Sequence, residues 1–92
     1  MKRTALVTGS NRGIGLATVM KLASHGLKVF AGMRDPQTKS KNLLNSISGN
    51  NLDVDVVELD VNDEASVERC FASIESSGEK VDILINNAGI ER

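Results

Sequence analysis

Between Val7 and Leu16 the chain reads Thr8-Gly9-Ser10-Asn11-Arg12-Gly13-Ile14-Gly15. The stretch follows an apolar run, Ala5-Leu6-Val7, and opens an apolar helical pattern. Strand, glycine turn and helix in that order suit a dinucleotide pyrophosphate. Glycines permit the tight turn and let the backbone approach the phosphates. Unpaired N–H groups at the helix start then face the negative charge, with the positive end of the helix dipole behind them. The spacing is Gly-x-x-x-Gly-x-Gly, which is neither the Gly-x-Gly-x-x-Gly of most dinucleotide folds nor a P-loop. Glycines in such a turn also occur for packing alone, so Thr8 and Ile14 carry much of the specificity.

The elements needed to position this turn are legible in the pattern. A first strand spans Thr4 to Thr8, and a helix from about Gly13 to His25 carries a polar stripe of Thr18, Lys21 and His25. So apolar a helix is expected to pack broadly on a sheet. Gly26 caps its end, where His25 complements the dipole. A second strand runs from Leu27 to Met33, and Pro36 precedes a weak helix with Leu43, Leu44 and Ile47. The third strand is Val54 to Leu59. Asn62 is expected to cap a third helix, with Asp63 and Glu64 in its first turn, ending near Gly78. Val81 to Ile85 form strand four, leading into Asn86-Asn87-Ala88-Gly89. Alternating helices and short apolar strands imply an α/β fold with a parallel sheet covered on both faces.

Length bounds this to a single domain, 1–92. The composition is 40% apolar and 25% charged, with net charge −1 and basic residues scattered along the chain, which points to neither nucleic acid nor membrane as a partner. No apolar stretch approaches the roughly 20 residues of a membrane helix. One cysteine, Cys70, excludes an internal disulfide and fits a cytoplasmic location. It shares helical spacing with Val67, Phe71 and Ile74, so core packing is the expected role rather than nucleophilic chemistry. No metal-ligand set is assigned.

With these residues in hand, the chain resembles the short-chain dehydrogenase/reductase family. The Thr-Gly-x-x-x-Gly-Ile-Gly signature of that family matches Thr8 to Gly15, Asn-Asn-Ala-Gly matches Asn86 to Gly89, and the Asp-plus-apolar pair after strand three matches Asp60-Val61. The resemblance covers the whole chain. It implies a three-layer Rossmann-type sheet, βαβαβαβ, in the order 3-2-1-4, with a cofactor crevice where strands one and four diverge. It also implies that Gly9, Ser10, Asn11, Arg12, Gly13, Ile14 and Gly15 surround the phosphates and adenosine ribose. Asp60 would accept from the adenine amino group, while the Val61 N–H would donate to a ring nitrogen. Asn86, Asn87, Ala88 and Gly89 would lie beneath the adenosine. The two asparagines could equally pin strand four to strand one.

Cofactor choice follows from the end of strand two. An acid there would grip the ribose hydroxyls of NAD. The matching residue is Met33, followed by Arg34, and Arg12 lies inside the turn. Two guanidinium groups suit a 2′-phosphate, because their planar forks pair with its oxygens. Asp35 is the counterweight, since it could pair with Arg34. The expected cofactor is NADP.

In the family, the catalytic serine, Tyr-x-x-x-Lys pair and helix asparagine lie beyond position 92, and this chain has no tyrosine. The expectation is a partial dinucleotide-binding domain that binds and does not catalyse. Its parent would move hydride between NADPH and a carbonyl or alcohol. The alternatives are a half-fold assembly module without nucleotide, and one half of a split enzyme. Strand four is apolar at nearly every position and is expected to lack an outer neighbour, which predicts a homodimer joined near residues 81–85.

Overall fold

The computed structural model describes residues 2–87. Its elements are β1 (Thr4–Val7), α1 (Gly13–Ser24), β2 (Lys28–Met33), α2 (Pro36–Lys39), α3 (Lys41–Ile47), β3 (Val54–Glu58), α4 (Glu64–Ser76) and β4 (Ile83–Ile85). The four strands form one parallel sheet in the order β3-β2-β1-β4, as the resemblance implies. Leu6 on β1 pairs with Phe30 on β2 and with Leu84 on β4.

Strand alternation sorts the side chains into two cores. Val7, Val29, Ala31 and Met33 meet Val19 and Ala23 of α1 and Leu43 of α3 on one face. Leu6 and Phe30 turn to the other face and meet Cys70 and Ile74 of α4. Every residue of β1 is buried, as is β2 from Val29 to Met33. Strands covered on both faces need no polar side, which is why they read as unbroken apolar runs. Cys70 is a core residue as expected, and burial pushes its thiol above the ordinary 9.0, which disfavours the thiolate.

Several local expectations give way to the structure. The cap of α4 is Asp63, whose carboxylate accepts from Ala65 N–H at 3.0 Å. Asn62 lies one residue ahead of the cap, in a turn where its N–H donates to Asp60 Oδ1 at 3.0 Å. The weak helix after β2 is two helices. The first opens on Pro36 itself, since Asp35 adopts a left-handed conformation (φ 51°) that reverses the chain at once. Proline at the first helical position loses no hydrogen bond. α1 buries only a narrow row, Gly15, Val19 and Ala23, with Leu16, Met20 and Leu22 half-buried at its flanks. Gly26 (φ 89°) follows His25 with the left-handed geometry a helix stop requires. β4 is shorter than expected, and ahead of it Asp82 bonds Thr4 twice, its N–H donating to Thr4 O at 2.8 Å and its carboxylate accepting from Thr4 N–H at 3.0 Å.

The sheet end opposite the glycine turn is held by charges. Lys28 Nζ meets Asp53 at 2.9 Å and Asp55 at 2.6 Å and lies 5.1 Å from the Phe30 ring centroid, while Lys2 reaches Asp53 at 3.0 Å. Desolvation pulls the Lys28 pKa down, but the hydrogen bonds to Asp55 and Asp53 outweigh it and hold the pKa above 10.5. The Lys28 hydrogen bond in turn holds Asp53 below its ordinary 3.8. A depressed carboxylate stabilises the fold above its unfolded pKa, and that contribution fades as pH falls through the lower, folded value. Asp53 is partly exposed, so the effect is small. Asp53→Asn should therefore flatten the acid limb of the urea midpoint between about pH 5 and pH 3. Identical limbs in the two proteins would refute the linkage.

Candidate functional site

The glycine turn hangs from three strands by hydrogen bonds. Thr8 N–H donates to Ile85 O at 3.0 Å, extending the ladder to β4. Ser10 N–H donates to Gly32 O at 3.1 Å, tying the turn to β2. Ser10 itself is fully buried, and its hydroxyl donates to Val7 O at 2.6 Å. The Thr8 hydroxyl donates to Asn86 Oδ1 at 3.2 Å and accepts from Asn87 N–H at 2.8 Å, and Asn87 Nδ2 donates to Gly9 O at 3.3 Å. The two asparagines therefore pin the end of β4 to the turn.

Gly9 (φ 63°) and Gly13 (φ 60°) take conformations that a side chain strains. Gly15 is needed for a different reason. A Cβ there would drive into the Gly9 carbonyl oxygen and crowd Asn87 Nδ2 at 2.8 Å. α1 therefore seats directly on the turn. Its first turn carries no acid, and its cap residue, Arg12, is extended and makes no side-chain cap bond. The leading N–H groups of α1 thus meet an anion-ready end of the helix dipole.

Beside the turn, the ends of β1, β2 and β3 enclose a cleft of about 720 Å³. Its size is within the range that takes a small ligand. Of the residues singled out from sequence, Gly9, Asn11, Arg12, Arg34, Asp60 and Val61 line it. Ser10, Gly13, Ile14, Gly15, Asn86 and Asn87 do not. Ser10, Gly15 and Asn87 are buried structural supports, whereas Ile14 stands 69% exposed at the start of α1. Ala88 and Gly89 lie outside the described residues.

The walls differ in chemistry. Met33 ends β2 and is buried, its partner strand continuing as Leu59 N–H donates to Met33 O at 2.9 Å. Arg34 emerges exposed. Asp35 does not counter it, because Asp35 Oδ2 accepts from the Thr38 hydroxyl at 2.9 Å, and among the described residues the two form no ion pair. On the β3 side, Asp60 N–H donates to the buried Ser66 hydroxyl at 2.9 Å, which fixes the Asp60 backbone. One Asp60 oxygen accepts from Asn62 N–H, leaving Oδ2 as an acceptor toward the cleft.

Thr38, Lys39, Lys41, Asn42 and Asn62 also line the cleft and escaped sequence reasoning. Four of the eleven basic residues meet here: among the described residues, Arg12, Arg34, Lys39 and Lys41 line the cleft with one carboxylate, Asp60. The available signal was three cations at positions 34, 39 and 41, immediately after the second strand.

Comparison with known proteins places this geometry among relatives. The family model described as short chain dehydrogenase matches residues 3–92. The 3-oxoacyl-(acyl-carrier-protein) reductase of Salmonella typhimurium is 39% identical over 90 residues, covering 98% of this chain and 35% of that protein. The NADPH-bound carbonyl reductase from chicken fatty liver superposes with a TM-score of 0.84 at 39% identity, covering 99% of this chain and 36% of that one. A gluconate 5-dehydrogenase from Burkholderia cenocepacia, in complex with NADP and tartrate, gives 0.83 at 33% identity over 100% of this chain and 36% of that one. The chain thus spans little more than a third of the length of these relatives. No helix among the described residues is long and apolar enough to cross a membrane.

Proposed function

Because the chain belongs to the short-chain dehydrogenase family, we propose that its cleft binds the adenosine half of NADP(H) in an oxidoreductase that moves hydride between NADPH and a carbonyl or alcohol. One observation carries this reading: Met33 is turned into the core where an acid would select NAD, and Arg34 stands beside it on a cleft shared with Arg12. The guanidinium forks bind the 2′-phosphate. The α1 N-terminus faces the pyrophosphate, Asp60 Oδ2 accepts from the adenine amino group, and the Val61 N–H donates to a ring nitrogen. Asn86 and Asn87 hold the floor beneath the adenosine. The carbonyl reductase and gluconate 5-dehydrogenase structures are both NADP(H) complexes, which supports the same cofactor. The 92 residues contain no tyrosine, so in this proposal they bind and position the cofactor rather than protonate a carbonyl. The lone buried Cys70 suits a reducing cytoplasm.

Calorimetric titration of the chain with NADP and with NAD tests the proposal. NADP should bind at least about tenfold more tightly, corresponding to about 1.4 kcal/mol. Equal affinities would overturn the cofactor assignment, and no binding of either would favour the assembly-module alternative.

We further propose self-association through β4, an edge strand on which Leu84 stands 54% exposed. Leu84→Lys should lower the mass found by light scattering at high concentration. An unchanged mass would count against an interface at β4.

A further inference from the structure

We propose that Lys39 and Lys41 add to the cationic lining of the cleft and help select the 2′-phosphate alongside the two arginines. The inference rests on the NADP reading above and extends it to residues outside the glycine turn and the end of β2.

The local fold holds both lysines at the cleft. Asp35 reverses the chain in its left-handed conformation, and α2 completes a single turn that ends on Lys39. Ser40 follows and is buried, its N–H donating to Pro36 O at 3.1 Å and its carbonyl accepting from Leu44 N–H at 2.9 Å. Lys41 then opens α3, which Leu43 anchors in the core with no exposed surface. A buried pivot thus separates two exposed lysines, and both line the same cleft as Arg12 and Arg34. Their positions are set by the backbone joint, although each ammonium keeps its flexible stem.

Their charge is also available. Among the described residues neither lysine takes part in an ion pair. Asp60 is the one carboxylate lining the cleft among the described residues, and neither it nor Asp35 forms an ion pair with either lysine there. The cleft therefore carries a clear positive excess on a chain whose net charge is −1. A concave surface with one sign of charge concentrates its field on an incoming anion. The group that feels it most is a dianionic phosphate. Unmodified ribose hydroxyls gain little, so the lysines should alter NADP affinity and leave NAD affinity nearly alone.

The test is calorimetry with NADP and NAD on the wild-type chain and on the Lys39→Gln, Lys41→Gln double variant, at low and high salt. Both positions are exposed, so the variant should melt with the wild type. We expect NADP affinity to fall about fivefold while NAD affinity stays within about twofold, since each exposed charge contributes modestly. Added salt should erode the preference of the wild type more than that of the variant, because it screens the missing charges. A wild type with NADP preference and a variant that retains it in full would overturn this inference and leave the function standing. Equal losses for both nucleotides would also overturn it, by showing a general effect on the cleft. A wild type with no preference for NADP would overturn the parent reading and this inference together.

Discussion

Gly15→Ala should lower the melting temperature by about 10–20 °C, although alanine is the better helix former. The added Cβ meets the Gly9 carbonyl oxygen, which is backbone, and Asn87 Nδ2, which is pinned. Neither neighbour can rotate away, so α1 must lift off the turn or the turn must unhook from β2 and β4. With the Cβ driven into fixed backbone, the cost lies at or above the upper end of the about 1–3 kcal/mol usual for overpacking. The gain in helix propensity offsets at most about 1 kcal/mol. A net loss of about 2–3 kcal/mol is a large fraction of the roughly 5–14 kcal/mol that a domain of this length holds, and each kcal/mol moves the melting point by about 4–8 °C. Nucleotide binding should fall with it, because the α1 N-terminus and the turn move together. Gly13→Ala makes the useful comparison. Nothing lies within 4 Å of a Cβ there, so only the strained backbone at φ 60° is felt, at a cost of about 1–2 kcal/mol. A thermal melt of Gly15→Ala within a few degrees of the wild type would show that the close approach is not what fixes this glycine.

Removing both arginines with Arg12→Ala and Arg34→Ala should reduce the ratio of NADP to NAD affinity by about thirtyfold. A hydrogen bond to a charged group is worth about 1.5–3 kcal/mol. Both side chains are exposed, and solvent screening brings each contribution to about 1 kcal/mol. Two together give about 2 kcal/mol, and each 1.4 kcal/mol is tenfold in affinity. NAD should bind the double variant about as well as the wild type, because it lacks the phosphate. Paired titrations decide the matter: an unchanged ratio, or a parallel loss for both nucleotides, would mean that the arginines do not read the 2′-phosphate.

Much of this was legible because periodicity and turn chemistry are local. The runs at Ala5-Leu6-Val7 and Val29-Phe30-Ala31 announced strands buried on both faces, and both are. Cys70, spaced with Ile74, declared itself a core residue and is one. What misled was competition between neighbouring polar groups. Asn62 and Asp63 are both good caps, and the helix starts at Glu64, so Asp63 caps it through Ala65 N–H while Asn62 lies in the turn before it. Pro36, expected only to precede the helix, opens one, because Asp35 supplies the reversal ahead of it.

By itself the sequence determined the strand–turn–helix order, the glycines at the phosphate turn, the basic residue after a buried Met33 and, through the resemblance, the strand order. Each of these is written in contiguous residues. Tertiary structure alone decided which polar groups face the cleft. Ser10 looks like a phosphate ligand in the string, yet its hydroxyl is spent on Val7 O inside the turn. Lys39 and Lys41 look like solvated helix charges, yet on either side of the buried Ser40 both line the cleft that Arg12 lines. A side chain's partner depends on what the sheet brings beside it, and parallel pairing joins residues as distant in sequence as Val7 and Ile85. No local pattern encodes a contact across that separation.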